Sequence, residues 1–168
     1  MLRSFVRQAT DDDLEPLEAI ENEADALFAT VFSIAGRRPA PTYTKPSPQS
    51  GFILVASDIP GSEPVGFAHV LDVHGSGHLE QLSVRPLAAR RGHGRALVEA
   101  VKSESRLRGC HRVTLRTFAD VPWNAPFYSS CGFLERDPDS DFLRDLSAAE
   151  QQRGLGYGRR VQMIFDLV

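Results

Sequence analysis

HLEQLSVRPLAARRGHGRALVEAVKSESRLRG, residues His78–Gly109, reads as a strand, a short basic turn with two glycines, and a helix. His78 to Val84 is rich in β-formers, with Leu79, Leu82 and Val84 apolar. Pro86 cannot continue a central ladder, so the strand ends before it. From Gly94 onward Ala96, Leu97, Ala100, Val101 and Leu107 recur at helical spacing, and Gly109 suits the position just past the helix end. At the junction, Gly92 and Gly94 let the backbone turn sharply and approach a ligand. The first N–H groups of the helix lack intrahelical partners and point outward with the positive end of the dipole. That favours a phosphate. Arg90, Arg91 and Arg95 add forked donors at the same place. The junction therefore reads as a diphosphate cradle, with an ordinary strand-to-helix loop and a solvated arginine face as the structural alternative.

The frame Ala89-Arg90-Arg91-Gly92-His93-Gly94 resembles the Gln/Arg-x-x-Gly-x-Gly/Ala motif of the GNAT superfamily, the acetyl-CoA-dependent N-acetyltransferases. Both glycines match, and Ala89 stands where the family has Gln or Arg. Further on, Asn124-Ala125-Pro126-Phe127-Tyr128-Ser129-Ser130-Cys131-Gly132-Phe133 resembles the family's FYxxxGF element, in the family's order and at about its spacing. The resemblance implies a mixed α/β sheet whose two central parallel strands splay apart, with flanking helices. It implies that acetyl-CoA is a cosubstrate, with its arm paired to the backbone of Leu82, Ser83 and Val84. The diphosphate would then rest on Arg90, Arg91, Gly92, His93, Gly94 and Arg95, with His93 contributing its backbone N–H from a loop.

Acyl transfer to an amine needs a neutral nitrogen, and a free primary amine has a pKa of about 10. Glu80 is the first candidate for the base. Strand alternation puts it on one face with His78 and Leu82, and the family often places a carboxylate there. His78, one pleat earlier, is the second candidate. The FYxxxGF match makes Tyr128 the general acid, and Asn124 could hydrogen-bond the cofactor arm. The structural alternatives are an arginine partner for Glu80 and a packing role for Tyr128. The spacing of His69, His74 and His78 does not set three ligands on one face, so no metal is expected. A coenzyme-A-binding regulatory domain without catalysis is the competing reading, mildly encouraged by Ala89.

The rest of the chain fits one domain over residues 1–168. Phe5 and Val6 mark a first strand, Ser4 to Gln8. Thr10 to Asp13 starts a helix running to about Thr30, and its acidic face is either solvated or helps dock a cationic amine. An apolar patch at 31–34 precedes GRRPAPTYTKPSPQS, an irregular loop expected to border the acceptor pocket or be disordered. Strands follow at Phe52–Ser57 and Val65–Val73, and Gly75–Gly77 turns the chain into the strand quoted above. Arg112–Phe118 is a strand parallel to it, reached by a crossover helix. Then come a loop at Ala119–Asn124, a short helix at Phe127–Ser130 and a strand at Phe133–Arg136. A helix capped by Ser140, with Phe142, Leu143, Leu146 and Ala149 inward, ends at Gly154. Val161 to Leu167 alternates as a closing strand.

A net charge of −3 gives no general case for nucleic-acid binding, and no apolar run approaches the length of a membrane span. The N-terminus has no signal-peptide apolar region, so a cytoplasmic location is expected, with Cys110 and Cys131 reduced and buried. The implied partner is a small-molecule or peptide amine. Monomer and homodimer both remain open.

Overall fold

The computed structural model describes residues 3–32, 39–153 and 158–168. Residues 33 and 34 of the expected apolar patch, the first part of the Pro-rich loop and the helix end at Gly154 lie outside the described residues. Among them, seven strands form one mixed sheet: β1 (Phe5–Gln8), β2 (Gly51–Ser57), β3 (Gly66–Val73), β4 (Ser76–Val84), β5 (Arg112–Phe118), β6 (Leu134–Glu135) and β7 (Arg160–Asp166). Their order is β1-β2-β3-β4-β5-β7-β6. β4 and β5 are parallel, and every other neighbouring pair is antiparallel. The helices are α1 (Leu14–Val31), α2 (His93–Leu107), α3 (Ala125–Ser130) and α4 (Asp141–Gln152). No helix of these is long and apolar enough to cross a membrane.

Each face of the sheet has its own apolar cluster. On one face α2 places Leu97, Val98 and Val101 against Leu54, Ala68, Val70 and Leu79, and α3 adds Tyr128. Each such buried aliphatic side chain contributes roughly 1.5–3 kcal/mol. On the other face Leu17 and Ile20 of α1 cover Ile53, Val55 and Phe67. α4 shares the α1 face, where Phe142 meets the His78 ring and Glu150 pairs with Arg116 of β5.

The start of α1 follows from its sequence. The Asp13 carboxylate accepts the Thr10 N–H at 2.7 Å and a forked pair from Arg7 at 2.6 and 2.9 Å. The Arg7 hydrogen bonds hold the Asp13 carboxyl below its usual range despite its burial. Pro16 falls in the first turn, where an N–H has no intrahelical partner to lose.

Three local expectations change. Gly77 belongs to β4 and not to a turn; the turn is at His74 and Gly75, and β4 starts at Ser76. A Cβ on Gly77 would lie 2.7 Å from the Ser105 hydroxyl of α2, so this glycine lets helix and strand approach closely. Leu107 is 84 % exposed, and the buried face of α2 is completed instead by Lys102 and Ser105. Finally, α2 begins at His93, whose side chain is buried rather than looped out.

The Ser105 hydroxyl is buried without a hydrogen-bond partner among the described residues. Gly77→Ala is therefore expected to destabilise the fold by about 1–3 kcal/mol through overpacking. Ser105→Ala alone should be close to neutral or slightly stabilising. The double variant should recover most of the loss in urea unfolding; strictly additive effects would mean that the two groups do not collide.

Candidate active site

The parallel ladder between β4 and β5 pairs Ser76 with Arg112, Gly77 with Val113 and His78 with Thr114, then stops. Beyond it the two strands diverge, while β4 stays paired to β3 as far as Val84. The edge of β4 that would face β5 is thus free of that partner from Leu79 to Val84, a stretch holding Leu82, Ser83 and Val84. Exposed strand edges of this kind accept an extended ligand as an extra strand.

The divergence begins at a β-bulge. His69 pairs with Gln81 and Val70 with Leu79, so Glu80 is the extra residue of β4. The bulge corrects the expected alternation. Leu79 and Leu82 both face α2, while His78 and Glu80 stay together on the α1 face. His78 Nδ1 lies 2.9 Å from the Thr114 hydroxyl and Nε2 lies 3.5 Å from the Glu80 carboxylate. Burial, helped by the Arg116 charge, pushes the His78 pKa down to about 4, so its imidazole is neutral at physiological pH. The Glu80 side chain is about half-exposed. Burial of its remainder pushes its pKa up, Arg153 opposes the shift and Glu150 adds to it.

The described part of the Pro-rich loop packs over the same face. Tyr43 donates a hydrogen bond to Glu21 of α1 and meets the rings of Phe67 and His69 edge-on. The Ala40 N–H donates to Asn22 at 2.8 Å. Burial first, and then the neighbouring charges of Asp25 and Glu80, raise the Glu21 pKa, with the Tyr43 hydrogen bond opposing. Tyr43 is not among the residues expected in the site, and Glu21, expected on the acidic face of α1, is buried here. The available signal was a lone aromatic in a Pro-rich polar loop, which needs a place to pack.

At the start of α2, Gly92 has φ +87° and Arg90 φ +61°, a left-handed pair that turns the chain into the helix. A Cβ on Gly92 would meet nothing, so the approach to the first amides is open. The expected arginines separate. Arg91 pairs with Asp58 at 3.3 Å, and Arg95 donates to the Ser130 carbonyl and hydroxyl at the end of α3. Arg90 makes no hydrogen bond or ion pair among the described residues. The His93 side chain is only 2 % exposed, with Nδ1 2.7 Å from the Ser4 hydroxyl and Nε2 2.9 Å from Asp58. It ties the first turn of α2 to β1 and to the β2–β3 turn, and only its backbone N–H is free to face a ligand.

On the α2 face, Tyr128 sits in α3 between the rings of Phe127 and Phe133. No described residue hydrogen-bonds its hydroxyl, and burial raises its pKa. Asn124 occupies the N-cap of α3 without a capping bond from its side chain. Lys102 holds the other end of α3, donating to the Cys131 carbonyl at 2.6 Å, with its ammonium 4.0 Å from the Phe165 ring centre. The structure thus brings Glu80 and His78 to one side of the divergence and Tyr128 to the other, with the glycine junction forming a third corner. A cavity of about 160 Å³ lies at the closed end of the ladder, lined by Ser76, His78, His111 and Phe142 among others, so His78 stands between it and the divergence.

The family model described as "Acetyltransferase (GNAT) family" matches residues 17–133. Solved structures are similar over nearly the whole chain. The ribosomal-protein-S18-alanine N-acetyltransferase from Escherichia coli has a TM-score of 0.65 at 20 % identity, covering 98 % of this chain and 94 % of that one. A GNAT-family acetyltransferase from Staphylococcus aureus has a TM-score of 0.69 at 15 % identity, covering 99 % and 100 %. An acetyltransferase from Bacillus subtilis, solved in complex with CoA, has a TM-score of 0.62 at 17 % identity, covering 100 % of both.

His93→Ala is expected to lower unfolding stability by about 1–3 kcal/mol, because Ser4 and Asp58 lose a shared buried partner. It should also speed hydrogen exchange in the first turn of α2. Unchanged urea unfolding together with unchanged exchange at residues 93–96 would show that this contact does not anchor the helix.

Proposed function

The chain belongs to the GNAT acetyltransferase family, and from that membership we propose that it transfers acetyl from acetyl-CoA directly to a primary amine, without a covalent acyl-enzyme. The observation that carries the reading is the divergence of β4 and β5, with a carboxylate on one face and an unpartnered phenol on the other. When bound, acetyl-CoA supplies an acyl group activated as a thioester. The free edge of β4 at Leu82, Ser83 and Val84 pairs with its arm, and Asn124 hydrogen-bonds that arm. The amides of Gly92, His93, Gly94 and Arg95, together with the Arg90 side chain, hold the diphosphate. Arg91 and Arg95 strengthen the positive field from their places on Asp58 and Ser130.

Glu80 is the general base. Its raised pKa brings it closer to neutrality and makes it a better proton acceptor than an ordinary surface carboxylate. His78, pushed to about 4, is the weaker base and serves as a neutral neighbour that keeps charge away from Glu80. Tyr128 is the general acid. Its raised pKa keeps it protonated, and its hydroxyl has no competing protein partner. Two buried free thiols, Cys110 and Cys131, suit a reducing, cytoplasmic setting.

Glu80→Gln is expected to lower kcat by about 10²–10⁴-fold with little change in KM for acetyl-CoA. Because Glu80 must be ionised and its pKa is raised, the acid limb of kcat/KM should lie above the usual glutamate value of about 4.3 and vanish in this variant. Tyr128→Phe should lower kcat while acetyl-CoA still raises the melting temperature. An unaltered pH profile in Glu80→Gln would remove Glu80 from this role. Binding of acetyl-CoA without turnover of any amine would favour a regulatory coenzyme-A-binding domain instead.

A further inference from the structure

Four aromatic rings cluster at the open end of the β4–β5 divergence, on the face that carries Glu80. Phe118 is the last residue of β5, and its ring stacks on Phe28 of α1 with centroids 5.4 Å apart. Phe32 lies 4.8 Å from Phe28 and 5.7 Å from Trp123, which meets Phe28 edge-on at 6.4 Å. Aromatic groups this size are normally covered, yet Trp123 is 47 % and Phe32 37 % exposed.

The helix explains the placement. Glu21, Asp25, Phe28 and Phe32 fall at i, i+4, i+7 and i+11, so one stripe of α1 passes from carboxylates to rings. Tyr43 bonds Glu21 and lies against the His69 ring, and His69 pairs with Gln81 next to Glu80, which places the anionic end of the stripe beside the proposed base. From Glu21 to Phe28 the helix rises roughly 10 Å, the end-to-end length of an amine carried on a four-carbon linker to a phenyl ring.

We propose, on the basis of the acetyl-transfer reading above, that the acceptor is a primary amine joined by a short linker to an aromatic ring or a similarly flat apolar group. Its nitrogen lies at Glu80 and its ring against Trp123 and Phe32. A polycation fits less well. Rings can hold an ammonium, but here the Arg160 guanidinium already lies 4.6 Å from the Phe118 ring centre, and a second cation in the cluster would meet its charge.

The test measures acetyl-CoA-dependent thiol release with 4-phenylbutylamine, butylamine and spermidine. The expected kcat/KM for 4-phenylbutylamine exceeds that for butylamine by about tenfold or more, and exceeds that for spermidine. Trp123→Ala and, separately, Phe32→Ala should collapse the phenylbutylamine-to-butylamine ratio toward one, with a thermal shift by acetyl-CoA reporting an intact fold. Equal or better use of spermidine or butylamine would overturn the inference while leaving acetyl transfer standing, as would a ratio unmoved in both variants. A dimer that Trp123→Ala splits in light scattering would make the cluster an interface between two copies and overturn it too. Acetyl-CoA binding with no amine consumed would overturn both readings.

Discussion

The parallel ladder between β4 and β5 lasts three residue pairs, and the arrangement of the site depends on its ending there. Two features allow the strands to part without loss of order. β5 satisfies its backbone on the other side, through seven consecutive pairs with β7. β4 remains tied to β3, and the bulge at Glu80 adds twist at the point of departure. His78 clasps Thr114 across the last pair, so the opening has a fixed root. A longer ladder would close the edge that an extended ligand needs, and without the bulge Glu80 would not be the unpaired residue at the split.

The glycine junction and Tyr128 are held in register by α2, a fifteen-residue helix on their face of the sheet. Arg95 in its first turn grips Ser130, and Lys102 grips the Cys131 carbonyl at the end of α3. α3 spans only six residues, too few to be stable in isolation. Its position therefore comes from these cationic contacts and from the Phe127, Tyr128 and Phe133 rings. Lys102 is buried, but its ammonium is compensated by the carbonyl, by Glu99 and by the faces of Phe133 and Phe165. Removing that compensation would cost more than the pairing yields, since an unpaired buried charge is strongly unfavourable.

Much of this was legible in the residues and some was not, for identifiable reasons. The strand–turn–helix around Gly92 could be read because proline, glycine and helical periodicity each mark a boundary locally. The parallel pairing of β4 with β5 followed from the length of the crossover. Gly77 misled because a glycine in a strand looks like a turn until its neighbour across the sheet, Ser105, is known. The bulge left no trace in the pattern, because Leu79 and Leu82 are compatible with simple alternation in either of two phases. His93 looked like a loop residue. Its partners, Ser4 and Asp58, are 89 and 35 positions away, beyond the reach of any local rule. The Tyr43–Glu21 contact was illegible for the same reason: it exists only once the loop is laid over α1.

β7 sits between β5 and β6, although both of them precede it in the chain. During synthesis β5 ends at Phe118 and must wait until Arg160 has been added before its main ladder can begin to form. The strands β1 to β4 with α2 have no such dependence on later sequence and can assemble as the ribosome delivers them. Topology thus permits one order of assembly: the half carrying α2 can form first, and the divergence acquires its second wall only when the closing strand arrives.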